Sequence, residues 1–179
     1  MKDLSSHILD LINNSLAAEA TKVDLEIRES LIENTFLINI TDNGRGMNLQ
    51  ARQKATDCSF TTRKSRNYGL GLPFAKQNAE RCDGELSLES TEGKGTTIRL
   101  NFRHNHIDRQ PLGDIASVIA IVLSQNQVRL SYSHSTDSGE YHFDSASENP
   151  DFQPLTPREL MRIKAKIITE LERISADKD

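Results

Sequence analysis

Tryptophan is absent from this 179-residue sequence, and three tyrosines and six phenylalanines are its whole aromatic complement. Proteins that hold single-stranded nucleic acid stack its bases on aromatic rings, so a base-stacking surface is not expected. A basic excess is missing as well. Lys and Arg number 22 against 26 Asp and Glu, a net charge of −4 with a pI near 5.8, where a binder of phosphate backbones is basic. No nucleic-acid partner is therefore expected. No apolar run reaches the ~18 residues needed to cross a bilayer. The longest, residues 115–123, reads as a buried helix, so no membrane association is expected. The first residues, MKDLSSHILDLINN, carry acids and lack the apolar core and cleavage site of a signal peptide. Cysteine is scarce, and Cys58 and Cys82 lack metal-ligand spacing. They read as reduced thiols, and the expected compartment is the cytoplasm.

What is present suffices for a packed core: 36% of residues are hydrophobic and 27% charged. Residues 4–18 read as an amphipathic helix, with Leu4, Ile8, Leu11, Ile12, Ser15 and Leu16 recurring at three- and four-residue steps. Residues 21–29 and 36–40 alternate as strands around a turn at Glu33 and Asn34, a hairpin ending at Asp42-Asn43-Gly44. Residues 47–57 are helix-compatible, and 60–68 form a polar, basic loop. Pro73 sits in the first turn of a helix running to about Cys82, which Asp83-Gly84 stops. Residues 85–90 and 97–102 alternate again. Helices and strands arrive in blocks, without strict βαβ alternation. The fold class expected is α+β, a two-layer sandwich of a mixed, mainly antiparallel sheet with helices on one face.

Beyond Phe102 the pattern changes. An irregular connector over 104–113 leads to a helix over 114–124, then a hairpin from 127–134 and 140–144, and a linker over 145–155. Thr156 caps a final helix, with Pro157 at its first position and Glu159 closing a capping box. The apolar stripe of that helix (Leu160, Ile163, Ile167, Ile168, Leu171, Ile174) demands burial, on the sheet or against a second copy in a homodimer. Two units are expected: residues 1–103, and a small α-β-β-α extension over 104–179 that carries no recognisable motif. His104, His106, His134 and His142 invite a metal, although surface imidazoles are far commoner.

Four short segments of the first half carry chemistry. Asp10 and Asn14 lie four residues apart on one helix face. The Asn amide oxygen suits Mg²⁺ bridging phosphate oxygens, and the carboxylate can take a proton from an attacking hydroxyl or water. Asp42-Asn43-Gly44-Arg45-Gly46-Met47 follows a strand. Its acid can accept from an exocyclic amine, and its glycines allow backbone to approach a flat ring. Gly69-Leu70-Gly71-Leu72 stands before a helix, where free N–H groups and the helix dipole favour an anion such as phosphate. Gly93-Lys94-Gly95-Thr96-Thr97 enters a strand. Taken singly, each also reads as a solvated edge, an Asn-Gly turn, a flexible loop or a hairpin turn.

In this order and at these separations the four segments resemble the N, G1, G2 and G3 boxes of the GHKL superfamily of gyrase, heat-shock, mismatch-repair and histidine-kinase ATPases. The resemblance covers roughly residues 4–102. DLINNSLAAEATKVDLEI is similar to the N box of mismatch-repair MutL ATPases, and FTTRK…GLGLPFAK to the lid and G2 region of histidine kinases. The resemblance implies the Bergerat ATP-binding fold, with ATP and Mg²⁺ as cofactors. It puts Asn14 on Mg²⁺ and Asp10 at the general-base position. Asp42 takes the adenine amine, with Gly44, Gly46 and Met47 against the ring and Thr96 near it through water. Gly69, Leu70, Gly71 and Leu72 fall on the phosphates, and Thr62, Arg63 and Lys64 make lid contacts.

Two departures stand out. Asn67-Tyr68 precedes Gly69 where many relatives have a further glycine, and Asp10 replaces the Glu of the ATPases. The shorter acid stands back by more than ~1 Å. Histidine kinases commonly carry Asn there, and a neutral imidazole acceptor needs no base, so a carboxylate points towards hydrolysis or Ser/Thr phosphorylation. With the N box inside the first fifteen residues, no dimerisation helix pair is expected. The chain then reads as a stand-alone signalling kinase or ATPase acting with a protein partner. The alternative is an ATP-gated binding module with little turnover.

Overall fold

The structure is a computed structural model that describes residues 3–55, 71–125 and 128–175. The first helix, α1 (Leu4–Ala17), starts where Asp3 accepts from the Ser6 backbone N–H at 3.0 Å and from the Ser6 and Ser5 hydroxyls at 2.7 and 2.9 Å. The Ser6 hydroxyl foremost, then its N–H, holds the Asp3 carboxyl below its usual range. Leu4, Ile8, Leu11 and Ile12 form the buried stripe.

Two antiparallel strands follow, β1 (Lys22–Ser30) and β2 (Thr35–Asp42), with Ile27 opposite Ile38. After α2 (Leu49–Ala55) and α3 (Gly71–Arg81) come β3 (Glu85–Thr91) and β4 (Gly95–Arg103). The stop after α3 is divided between two residues. Asp83 takes the left-handed conformation (φ 53), whereas Gly84 is required by space: a Cβ there would lie 1.9 Å from the Asn101 carbonyl oxygen.

The remaining elements are α4 (Ile115–Ser124), β5 (Arg129–Thr136), β6 (Gly139–Asp144), α5 (Ser145–Glu148) and α6 (Pro157–Ser175). Among the described residues the strands make one sheet in the order β3-β4-β2-β1-β5-β6. All neighbouring pairs are antiparallel except β1 and β5, which run parallel with Ile27 opposite His134. The sheet is thus mixed and mainly antiparallel, and the later hairpin extends the sheet of the first half.

Val23, Leu25 and Ile27 of β1 alternate with half-buried or exposed neighbours, as do Phe36, Ile38 and Ile40 of β2 and Ile98, Leu100 and Phe102 of β4. They face the helices, and each such side chain contributes roughly 1.5–3 kcal/mol by its burial. The stripe of α6 finds cover within the chain: Ile163, Ile167 and Ile174 are buried, and α6 packs on α4, β5 and β6. The stretch expected to be a bare linker after β6 opens with α5. Asp144 accepts from the Ala146 N–H at 2.8 Å, and the Ser145 hydroxyl accepts from the Leu130 N–H at 2.8 Å.

The expected histidines divide. His104 and His134 are buried and place their Nε2 atoms 3.3 and 3.0 Å from the two oxygens of Glu29, with the Tyr132 hydroxyl 2.8 Å from His134 Nδ1. Burial, then the Glu29 charge, pushes the Tyr132 phenol far up. His106 faces Asp83, and exposed His142 faces Glu140. Among the described residues no group of three His, Cys, Asp or Glu side chains is arranged to hold a metal. No described helix is long and apolar enough to cross a membrane.

Candidate functional site

Helix α1 carries both ends of the candidate site. Asp10 and Asn14 share a face one turn apart, and the start of α3 presses on both. A Cβ built on Gly71 would lie 3.2 Å from Asp10 Cβ, 3.9 Å from Asp10 Oδ2 and 4.0 Å from Asn14 Nδ2. Leu72, 3% exposed, anchors that turn in the core. The first N–H groups of a helix have no partner within it and concentrate positive charge. The fold therefore sets a carboxylate and a carboxamide beside an anion-attracting helix start. Thr62, Arg63, Lys64, Gly69 and Leu70 lie outside the described residues.

At the other end Asp42 closes β2 and is 7% exposed. Its Oδ2 accepts from the Ser15 hydroxyl at 2.7 Å and its Oδ1 from the Gly44 N–H at 2.9 Å. Thr96 stands opposite Asp42 in the β2–β4 register, its Oγ1 2.9 Å from Ser90 Oγ, which accepts from the Met47 N–H at 2.8 Å. Two contacts pin the loop after Asp42: Arg45 N–H to the Ala18 carbonyl at 2.9 Å, and Gly93 N–H to the Arg45 carbonyl at 2.7 Å. Gly46 has φ +65, and a Cβ on it would fall 2.0 Å from the Thr91 carbonyl oxygen. A Cβ on Gly44 would lie 2.8 Å from the Ala18 carbonyl oxygen. Both glycines are thus demanded by the chain's own packing, independently of any ring.

Asn14, Asp42, Gly46, Met47, Leu72 and Thr96 line one cleft, with Leu11 and Ile98 among its apolar walls. The cleft holds about 40 Å³, room for a few waters. At the Asn14 end a carboxamide and the Asp10 carboxylate share one helix face beside Gly71, side-chain types that suit a hard cation. At the Asp42 end, a buried acceptor beside a hydroxyl and apolar walls fits a flat heterocycle bearing an amine.

Sequence reasoning missed Ser15 and Ser90. Ser15 was legible only as a polar residue inside the apolar stripe of α1, next to Asn14. Ser90 was legible only as a polar residue on the face that Leu86 and Leu88 share. Both act by holding others: Ser15 orients Asp42, and Ser90 ties Met47 to Thr96.

Comparison with known proteins gives the chain a family and a fold. The family described as histidine kinase-, DNA gyrase B- and HSP90-like ATPase matches residues 2–106, more than half the chain. A protein named as a sensor in Shewanella frigidimarina is 33% identical over 103 residues, covering 56% of this chain and 16% of that protein. Sporulation kinase B of Bacillus subtilis is 33% identical over 100 residues, covering 55% of this chain and 23% of the kinase. The chain thus spans less than a quarter of the length of these relatives. A crystal structure of the N-terminal domain of a DNA repair protein superposes with a TM-score of 0.50 at 17% identity, covering 80% of this chain and 52% of that one. Its likeness is one of fold. With the family match over residues 2–106, and with Asn14, Asp42, Leu72 and Thr96 lining one cleft, the chain belongs to the histidine kinase-, DNA gyrase B- and HSP90-like (GHKL) ATPase family.

Proposed function

We propose that this chain binds ATP with Mg²⁺ in the cleft between α1, the loop after β2 and the start of α3, and uses it for hydrolysis or for phosphoryl transfer to a protein. The observation that carries the reading is the meeting of Asp10, Asn14 and Gly71 on one face of α1 while Ser15, the residue after Asn14, orients buried Asp42. Asp42 accepts from the adenine amine, with Thr96 beside it. Gly44, Gly46 and Met47 border the ring, and Gly71 and Leu72 offer backbone N–H groups to the phosphates. Asn14 would hold Mg²⁺, which would supply positive charge beside the phosphates. Asp10 takes the proton of the attacking water or hydroxyl. Thr62, Arg63, Lys64, Gly69 and Leu70 complete the phosphate side in this reading, and the chain acts in the cytoplasm with a protein partner.

Phosphate release from ATP by purified protein with Mg²⁺ tests the proposal. Asp10→Ala should lower turnover by roughly 10²–10⁴-fold while ATP affinity is kept. Asn14→Ala should weaken both. Wild-type turnover equal to that of Asp10→Ala, with ATP still bound, would leave an ATP-gated binding module. That second reading draws on the shortened acid at position 10. ATP-dependent phosphopeptides on a candidate partner, found by mass spectrometry, would single out transfer over hydrolysis.

A further inference from the structure

A cavity of about 220 Å³ lies between α1, α3 and the connector after β4, lined by His7, Phe74, Gln77, Asn78, Arg81 and Gln110. It shares no lining residue with the Asp42 cleft. Among the described residues its polar lining is one guanidinium, one imidazole and three carboxamides, with no carboxylate, and the half-exposed Phe74 ring gives it an apolar wall. His7 is 5% exposed, and its Nδ1 is buried with no hydrogen-bond partner. The Gln110 side chain bonds the same imidazole and accepts from Asn78 Nδ2 at 3.2 Å. Burial, foremost, holds the ring below its ordinary pKa, and the unpartnered Nδ1 donates to an acceptor in the tautomer that carries the proton there.

We propose that this cavity is a second ligand site, for a small organic carboxylate whose apolar body lies on Phe74 and whose charged end meets Arg81 and the His7–Gln110–Asn78 row. Among the described lining residues the one charged side chain is the Arg81 guanidinium, which favours an anion. The volume, below the roughly 300–1,000 Å³ of ordinary cofactor pockets, suits a compact acid. The site bridges the two helices that meet at Asp10 and Gly71, since His7 is one turn before Asp10 and Phe74 one turn beyond Gly71. Its occupant therefore biases the nucleotide cleft, and the effect is reciprocal. This coupling rests on the nucleotide reading above, whereas the site itself does not.

The test uses the full chain, with benzoate and inorganic phosphate as probes, followed by nuclear magnetic resonance of the His7 imidazole and the Asn78 and Gln110 side-chain amides. Benzoate should shift these signals saturably with a roughly millimolar dissociation constant. Arg81→Ala, an exposed position, should raise that constant by at least ~10-fold. Asp42→Ala should leave it unchanged, which separates failure here from failure of the nucleotide reading. No saturable shift at those nuclei, or equal affinity in Arg81→Ala, overturns the site. A response to phosphate alone overturns the organic acid. An ATP affinity indifferent to saturating benzoate, in protein that binds ATP, overturns the coupling.

Discussion

Ser15 illustrates how much one hydroxyl can decide. It sits in the buried stripe of α1, where an aliphatic side chain serves packing equally well, and its bond to Asp42 Oδ2 holds a nearly buried carboxylate in one rotamer. Removing it leaves the acid with the Gly44 N–H as its remaining donor among the contacts described above. Ser15→Ala is expected to keep the fold, since alanine favours helix, and to weaken ATP binding roughly 3–10-fold. Asp42→Ala should cost roughly 10–100-fold, the worth of a charge-assisted bond. Calorimetric titration checks both. An unchanged affinity in Ser15→Ala would remove its orienting role. Asp10, Asn14 and Asp42 were readable as candidates because their types and spacing carry chemistry. Ser15 and Ser90 were not, because a serine's role depends on which neighbour it meets.

Helix ends show what local chemistry settles. Thr156 and Glu159 form the expected capping box, the Thr156 N–H reaching Glu159 Oε2 at 2.8 Å and the Glu159 N–H reaching Thr156 Oγ1 at 3.3 Å. Asp3 caps α1. Asp3→Ala should destabilise the protein by about 1 kcal/mol in urea unfolding at neutral pH. Because hydrogen bonds lower the folded pKa of Asp3, its contribution is complete above the unfolded carboxyl value near ~3.9. It is lost as pH falls through the lower, folded value. The gap between wild type and variant should therefore close in acid, and a gap that stays constant would contradict the cap. Element boundaries followed the patterns closely because caps and stops are short-range. Helix α5 was missed because its start depends on Asp144 and on the Ser145 contact with Leu130, a residue of the neighbouring strand.

Across the molecule, the hairpin of β5 and β6 pairs along seven positions of β1, and α4 packs on α1. His134 and His104 add a buried polar tie at Glu29. Cutting after residue 103 would bare one edge of β1 and part of the α1 stripe, so the whole chain is expected to unfold in a single transition. Coincident urea curves by far-ultraviolet circular dichroism and tyrosine fluorescence would support this. Two separated midpoints would support residues 1–103 and 104–179 as independent units. The periodicity of apolar residues, the caps and the four short boxes were enough to give the described elements other than α5, the sheet class and the nucleotide family, because all of them are written in residues close together along the chain. The parallel union of β1 with β5, the burial of α6 against its own molecule, the pairing of Ser15 with Asp42 and the cavity beside His7 came only with the tertiary structure. Each joins residues far apart in sequence, and a local pattern records what a residue needs without naming the distant group that will supply it.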